Sequence, residues 1–278
     1  MVIEDVNAND TCKKRNKRRQ IAKVRFLFVF LFVWNVAFAQ DESQAEINYP
    51  YLHNSAENQL PFAEAGDPLA QYLMSYFYMH GDGGVKQDIA LAAKWLEKSA
   101  NQQYLPAQFV YASNLFYGLS ENSKEIIKQD KTRAVDMLRK LADIDDDNGV
   151  DKDKKSVAGK SAFLLGEIYA EKENRNIKES LTWYEKAAEL DNNDAKYILG
   201  LAYANQELEV EENPPKAAAW WTHAAGQGHA LSQYALGWAY SEGYGVKQSQ
   251  QEAVKWWRIS AAQENEDSIN ALKERNLK

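Results

Sequence analysis

Cysteine is almost missing from this 278-residue chain: the one thiol is Cys12, near the N-terminus. A single cysteine excludes an intrachain disulfide framework and a multi-cysteine metal site. Histidine is nearly as scarce. The four, His53, His80, His223 and His229, make no H-x-x-x-H or H-E-x-x-H pair, the spacings that set two imidazoles on one helix face around zinc. S-x-x-K, the nucleophile motif of serine β-lactamases, occurs nowhere. Basic residues are outnumbered, 33 Lys and Arg against 40 Asp and Glu, and a formal charge of −7 argues against nucleic acid as a partner. Long hydrophobic runs are also lacking. The apolar stretch Phe26–Ala39 is 14 residues long and contains Asn35, short of the roughly 20 residues that a membrane-spanning helix needs. Proline is scarce, at six, but tryptophan is plentiful, at eight.

That apolar stretch belongs to a distinct N-terminal segment. A basic block (Lys13, Lys14, Arg15, Lys17, Arg18, Arg19, Lys23, Arg25) precedes it, and the small-residue pattern Ala37-Phe38-Ala39 closes it. Basic region, short apolar region and small-residue site together describe a secretory signal peptide over residues 1–39, cleaved after Ala39. An uncleaved anchor is the other outcome for the same run, and Arg18-Arg19 raises the twin-arginine route. Residues 1–39 hold eight of the 33 basic and three of the 40 acidic residues, so cleavage leaves a net charge of −12. The expected location is periplasmic or secreted, with no membrane association beyond export. No cysteine follows the cleavage site, so no lipid anchor is expected there.

The rest of the chain repeats. AAKWLEKSA (Ala92–Ala100), AVDMLRKLA (Ala134–Ala142), SLTWYEKAA (Ser180–Ala188), AAAWWTHAA (Ala217–Ala225) and AVKWWRISA (Ala253–Ala261) share one pattern. Their anchors Trp95, Met137, Trp183, Trp220 and Trp256 are spaced by 42, 46, 37 and 36 residues. Small and apolar residues at helical intervals make each an amphipathic helix, helix B. A second helix, A, precedes each one. Ser75, Ala112, Gly166, Gly200 and Gly237 hold one position that is always small, and Tyr78, Leu115, Tyr169, Tyr203 and Tyr240 follow three residues on. Glycine inside a helix costs about 1 kcal/mol relative to alanine, so its recurrence implies close approach of another helix.

Seven residues before each anchor stand Asp88, Asp130, Asn176, Asn213 and Ser249, all good helix N-caps. Ten before, in four repeats, stands an apolar plug: Val85, Ile127, Val210 and Val246. The tetrapeptide GVKQ, at Gly84–Gln87 and again at Gly245–Gln248, is therefore a turn between helices A and B. Its lysines Lys86 and Lys247 read as solvated.

A pattern A-Q-Y-x-L-G-x-x-Y…G-x-G-V…A-x-x-W-x-x-x-A-A resembles the Sel1-like repeat, a relative of the tetratricopeptide class. Ser232–Ala262 follows it almost throughout and Ala70–Ala100 closely; the other repeats lack the turn glycines. The resemblance covers about 200 residues, Gly66–Asn265. The expected fold is all-α, an α-solenoid (right-handed superhelix) of antiparallel helix pairs. Residues 40–65 would be a linker with a partial half-repeat. Five repeats would span 66–103, 104–157, 158–190, 191–228 and 229–265, with a C-terminal capping helix over 266–278.

Candidate chemistry is sparse. The acidic insert Asp143–Asp153 looks like a calcium loop, but setting Gly149 at position 6 puts Ile144 at position 1 and Lys155 at 12, so the EF-hand register fails. No metal ligands, cofactor or catalytic residues are assigned. Some Sel1-like proteins are linked to β-lactam binding or weak β-lactamase activity, but that branch is built around paired cysteines, and this chain has one. The resemblance implies a scaffold that binds protein or peptide partners as an adaptor or regulatory subunit in the cell envelope. The alternatives are a β-lactam or cell-wall enzyme and a calcium-dependent binding module. Trp95, Trp183, Trp220 and Trp256 are expected in the core. Trp221 and Trp257, beside two of them, are expected as exposed partner anchors, along with Gln71, Gln108, Lys196 and Gln233 at one repeat position on helix A.

Overall fold

The computed structural model describes residues 55–144, 151–171 and 175–275. The segment read as a signal peptide lies outside them, as does the middle of the acidic insert. Twelve helices follow in order: α1 (Ala56–Glu64), α2 (Pro68–His80), α3 (Ile89–Asn101), α4 (Leu105–Tyr117), α5 (Lys131–Ala142), α6 (Lys152–Ala170), α7 (Ile177–Glu189), α8 (Asn193–Asn205), α9 (Pro214–Gly226), α10 (Ala230–Glu242), α11 (Gln250–Ala261) and α12 (Glu266–Glu274). Two short strands, β1 (Leu119–Glu121) and β2 (Lys124–Ile127), pair antiparallel between α4 and α5. The described residues form two compact units, one ending at Ser161 and the other beginning at Ala162. In the first, α1 to α5 pack in succession; in the second, α7 to α12 do.

The helices start where the side chains can cap them. Asp88, Asp130, Asn176, Asn213 and Ser249 each accept a backbone N–H three residues on, satisfying one of the donors a helix start leaves open. Asp67, Asn192 and Asn265 do the same for α2, α8 and α12, and the His229 ring does it for α10.

Each turn from helix A to helix B closes on one bond. The N-cap N–H of helix B donates to the last-turn carbonyl of helix A: Asp88 to Tyr78, Asp130 to Leu115, Asn176 to Tyr169, Asn213 to Tyr203 and Ser249 to Tyr240. At the other end, Ser99 Oγ donates to Pro68 O and Ser260 Oγ to Ala230 O. The start of B thus touches the end of A, and the end of B touches the start of A. That makes the pairs antiparallel.

The glutamine of GVKQ, which Gln129 matches in the second repeat, has a job of its own. Gln87, Gln129 and Gln248 donate their side-chain amides to Met79 O, Phe116 O and Ser241 O, carbonyls left open at the end of helix A. The turn glycines meet the preceding helix B. A Cβ on Gly245 (φ +70) would lie 2.0 Å from Pro214 O at the start of α9, and one on Gly83 (φ +61) 3.0 Å from Ala56 N at the start of α1. The turn joins A to B and seats both on the previous helix.

The insert after α4 is a β-hairpin. Asn122 and Ser123 both take positive φ, 49° and 66°. That is the geometry of a two-residue turn whose twist matches antiparallel strands.

Candidate binding groove

The small positions on helix A do receive a neighbouring helix, but not the expected tryptophans. Cβ atoms on Gly166, Gly200 and Gly237 would lie 2.7, 2.2 and 2.6 Å from the rings of Tyr184, Trp221 and Trp257. Each ring follows the anchor by one residue. Trp221 and Trp257 are 0% and 1% exposed, and their indole N–H groups donate to Tyr197 O and Tyr234 O, three residues before the glycine. The anchors Trp183, Trp220 and Trp256 are only partly buried, and lysine ammonium groups stand over two of them, Lys186 Nζ 5.5 Å from the ring centre of Trp183 and Lys255 Nζ 5.4 Å from that of Trp256. The expectation for the aromatic pairs is thus reversed: the second member is core, and Trp221 and Trp257 are not surface anchors.

The polar helix-A position is corrected as well. Gln71, Lys196 and Gln233 are 5%, 4% and 2% exposed. Gln71 donates to Ala63 O and Gln233 to Ala225 O, both on the preceding helix B. The same side chains meet an amide beyond their own helix B: Gln71 with Gln102, Lys196 with Gln227, Gln233 with Gln263. Lys196 Nζ also stands 3.0 Å from Asp191 Oδ1. These side chains tie consecutive helices together and leave little for a partner. Gln108, half-buried, differs and lines a groove.

Two adjoining grooves lie in the first unit, of about 830 and 530 Å³. Tyr111, Asp130 and Arg133 line both. In the larger one, α3 contributes Ala90, Ala93, Lys94 and Glu97 to one wall. The segment Lys124–Gln129, which is β2 and the two residues after it, forms another, and Lys131 and Arg133 from α5 close the end. Tyr111 comes from α4, is buried, and donates to Glu97 Oε1 at 3.1 Å. The Arg133 guanidinium lies 5.5 Å over its ring. Burial, and next the Glu97 carboxylate, hold the Tyr111 hydroxyl above the usual phenol range, while Arg133 pulls the other way. The phenol stays protonated at neutral pH and acts as a donor that fixes Glu97.

Sequence reasoning did not find this groove because it depends on the hairpin insert. The signal available was ENSK (Glu121–Lys124), a two-residue turn between short strand-forming runs. His229 falls in place as a structural residue: Nδ1 accepts from Ser232 N, and Nε2 stands 3.2 Å from Asp194 Oδ1. Among the described residues no three His, Cys, Asp or Glu side chains group as a metal cluster.

The sequence matches the Sel1 repeat family over residues 68–104, 105–146, 159–192, 193–229 and 230–265, well over half the chain. A solved Sel1 repeat protein from Oxalobacter formigenes is 27% identical, with a TM-score of 0.57 over 74% of this chain and 75% of that one. Two curated yeast proteins are also similar. Chitin synthase regulator SKT5 of Saccharomyces cerevisiae is 26% identical over 79% of this chain and 31% of its own length. Chitin synthase regulatory factor 3 of Schizosaccharomyces pombe is 27% identical over 75% of this chain and 21% of its own. The chain therefore spans a third or less of either relative.

Proposed function

The chain belongs to the Sel1 repeat family, and on that premise we propose that it is an adaptor that binds protein or peptide partners and performs no chemistry of its own. One observation carries the proposal. The aromatic and polar side chains that recur from repeat to repeat are spent on joining helices, whereas the large groove takes one wall from β2, on a hairpin that one repeat alone carries among the described residues. Recurring residues build the frame; the variable ones are free to recognise something. Two relatives are named as regulators of a synthase, which supports a role through binding.

We extend the proposal to place. With residues 1–39 acting as a cleaved signal peptide, the adaptor works in the periplasm or outside the cell, on an envelope partner. In-cell crosslinking followed by pull-down tests both parts. The expected result is a mature chain starting at Gln40 and one discrete crosslinked protein. A correctly processed chain that crosslinks to nothing would refute the adaptor role, and an unprocessed, cytosolic chain would refute the location.

A further inference from the structure

We propose that the groove between α3 and β2 binds an extended acidic peptide segment of a partner protein, which adds as a third strand to the hairpin. The proposal rests on the adaptor reading and names the chemistry of its ligand.

The backbone of β2 is the first reason. In an antiparallel ladder, alternate residues turn both N–H and C=O away from the partner strand. Among the described strands β2 pairs with β1 only, so its other edge has no strand beside it. The stretch Lys124–Gln129 lines the groove along its length. At about 3.3 Å per residue, the four residues of β2 offer roughly 13 Å of edge. Edge strands left unpaired are templates for extended chains.

Charge is the second. Lys94, Lys124, Lys128, Lys131 and Arg133 line this groove, against Glu97, Glu125 and Asp130. Two of those acids are already engaged: Glu97 accepts the Tyr111 hydroxyl, and Asp130 caps α5 through Arg133 N. Lys94, Lys124 and Lys128 are exposed and have no ion-pair partner among the described residues. A local excess of cations in a chain of net −7 selects an acidic ligand. Between the cations, Ala90, Ala93, Leu115, Ile126 and Ile127 give the lining its apolar part. An occupant with alternating acidic and aliphatic residues matches both, because a strand shows the two faces in turn.

The test is fluorescence anisotropy with the full chain and a fluorescein-labelled peptide of alternating Glu and Val. Binding is expected, weakening steeply between about 0.05 and 0.5 M salt as screening shortens the range of the charges. The triple variant Lys94→Glu, Lys124→Glu, Lys128→Glu should bind at least about tenfold more weakly. Methylating alternate backbone nitrogens of the peptide leaves its charge intact and removes strand pairing, so it should cost at least about fivefold. That arm leaves the protein untouched and so does not depend on the variant folding. No binding of the Glu–Val peptide, equal binding of a Lys–Val peptide, an unaffected triple variant, or indifference to backbone methylation each overturns the proposal. If the triple variant still crosslinks to the partner recovered with the wild type, the adaptor reading survives and the groove assignment falls.

Discussion

A mid-helix glycine costs about 1 kcal/mol relative to alanine, yet Gly166, Gly200 and Gly237 all lie within helices. What offsets the cost is the ring that each one admits. The same two positions in the other repeats show the trade. Leu96 and Leu138 replace the ring where Ser75 and Ala112 replace glycine, and all four are buried. Small residue and large residue thus vary together: Gly with Tyr or Trp, Ala or Ser with Leu. Gly200→Ala should therefore destabilise by about 2 kcal/mol, because its Cβ overpacks against Trp221. Trp221→Leu alone should cost about 3 kcal/mol through the cavity it leaves. The double variant recreates the Ala112–Leu138 pair and should lose at least about 1.5 kcal/mol less than the sum. Denaturant unfolding of the four proteins measures this. Additive losses would mean that the two positions do not pack as a unit. This pairing was present in the sequence but hard to see. Adjacent residues on a helix sit about 100° apart, and the alanine spacing of helix B accommodates either member of a Trp-Trp pair as the core one. Only the size match with helix A tells them apart. The buried glutamines were harder. Gln71 and Gln233 look like surface residues until their carbonyl partners on the preceding helix are placed, and those lie across a turn whose geometry the sequence does not print.

At the scale of elements, starts were legible and inserts were not. Five N-caps and the glycine turns follow from side-chain chemistry within a few residues, and the helices begin where those caps stand. The hairpin has strands of three and four residues and a turn without glycine, so its local signal is weak. The C-terminal helix offers a test of how elements hold one another. Tyr234 of α10 is pushed up to about 12, first by burial, then by Asp267 and Glu274 of α12, with Arg275 opposing. Because the folded value is raised, the folded state keeps the proton longer than the unfolded chain. The stability contributed is complete below the ordinary value of 10.0 and is lost as pH rises towards 12. Tyr234→Phe removes this titration. Its stability should fall less steeply than that of the wild type between pH 10 and 12, as followed by thermal melts. Parallel curves would mean that Tyr234 meets the same environment folded and unfolded.

For the molecule as a whole, repetition decides how damage spreads. In a stack where each element packs on its neighbours in sequence, stability is close to a sum of local terms and nearest-neighbour contacts. The second unit has that pattern: α7 touches α8, α8 touches α9, and so on to α12, with side-chain staples such as Gln233 to Ala225 O linking one pair to the next. A wound at one end should therefore fade with distance instead of melting the unit at once. Gly237→Ala supplies the wound, since its Cβ would stand 2.6 Å from Trp257. Amide hydrogen exchange should then quicken most in α10 and α11, which hold the clash. The effect should be smaller in α9, which packs on α10 and is tied to it by the Gln233 staple, and smallest in α7. A uniform rise from α7 to α12 would show an all-or-none unit, and the one-dimensional picture would fail. The gradient matters for function as well. An adaptor whose repeats loosen independently can change its recognition residues in one repeat without unfolding the others, which is how a recurring frame can carry the hairpin-walled groove of the first unit.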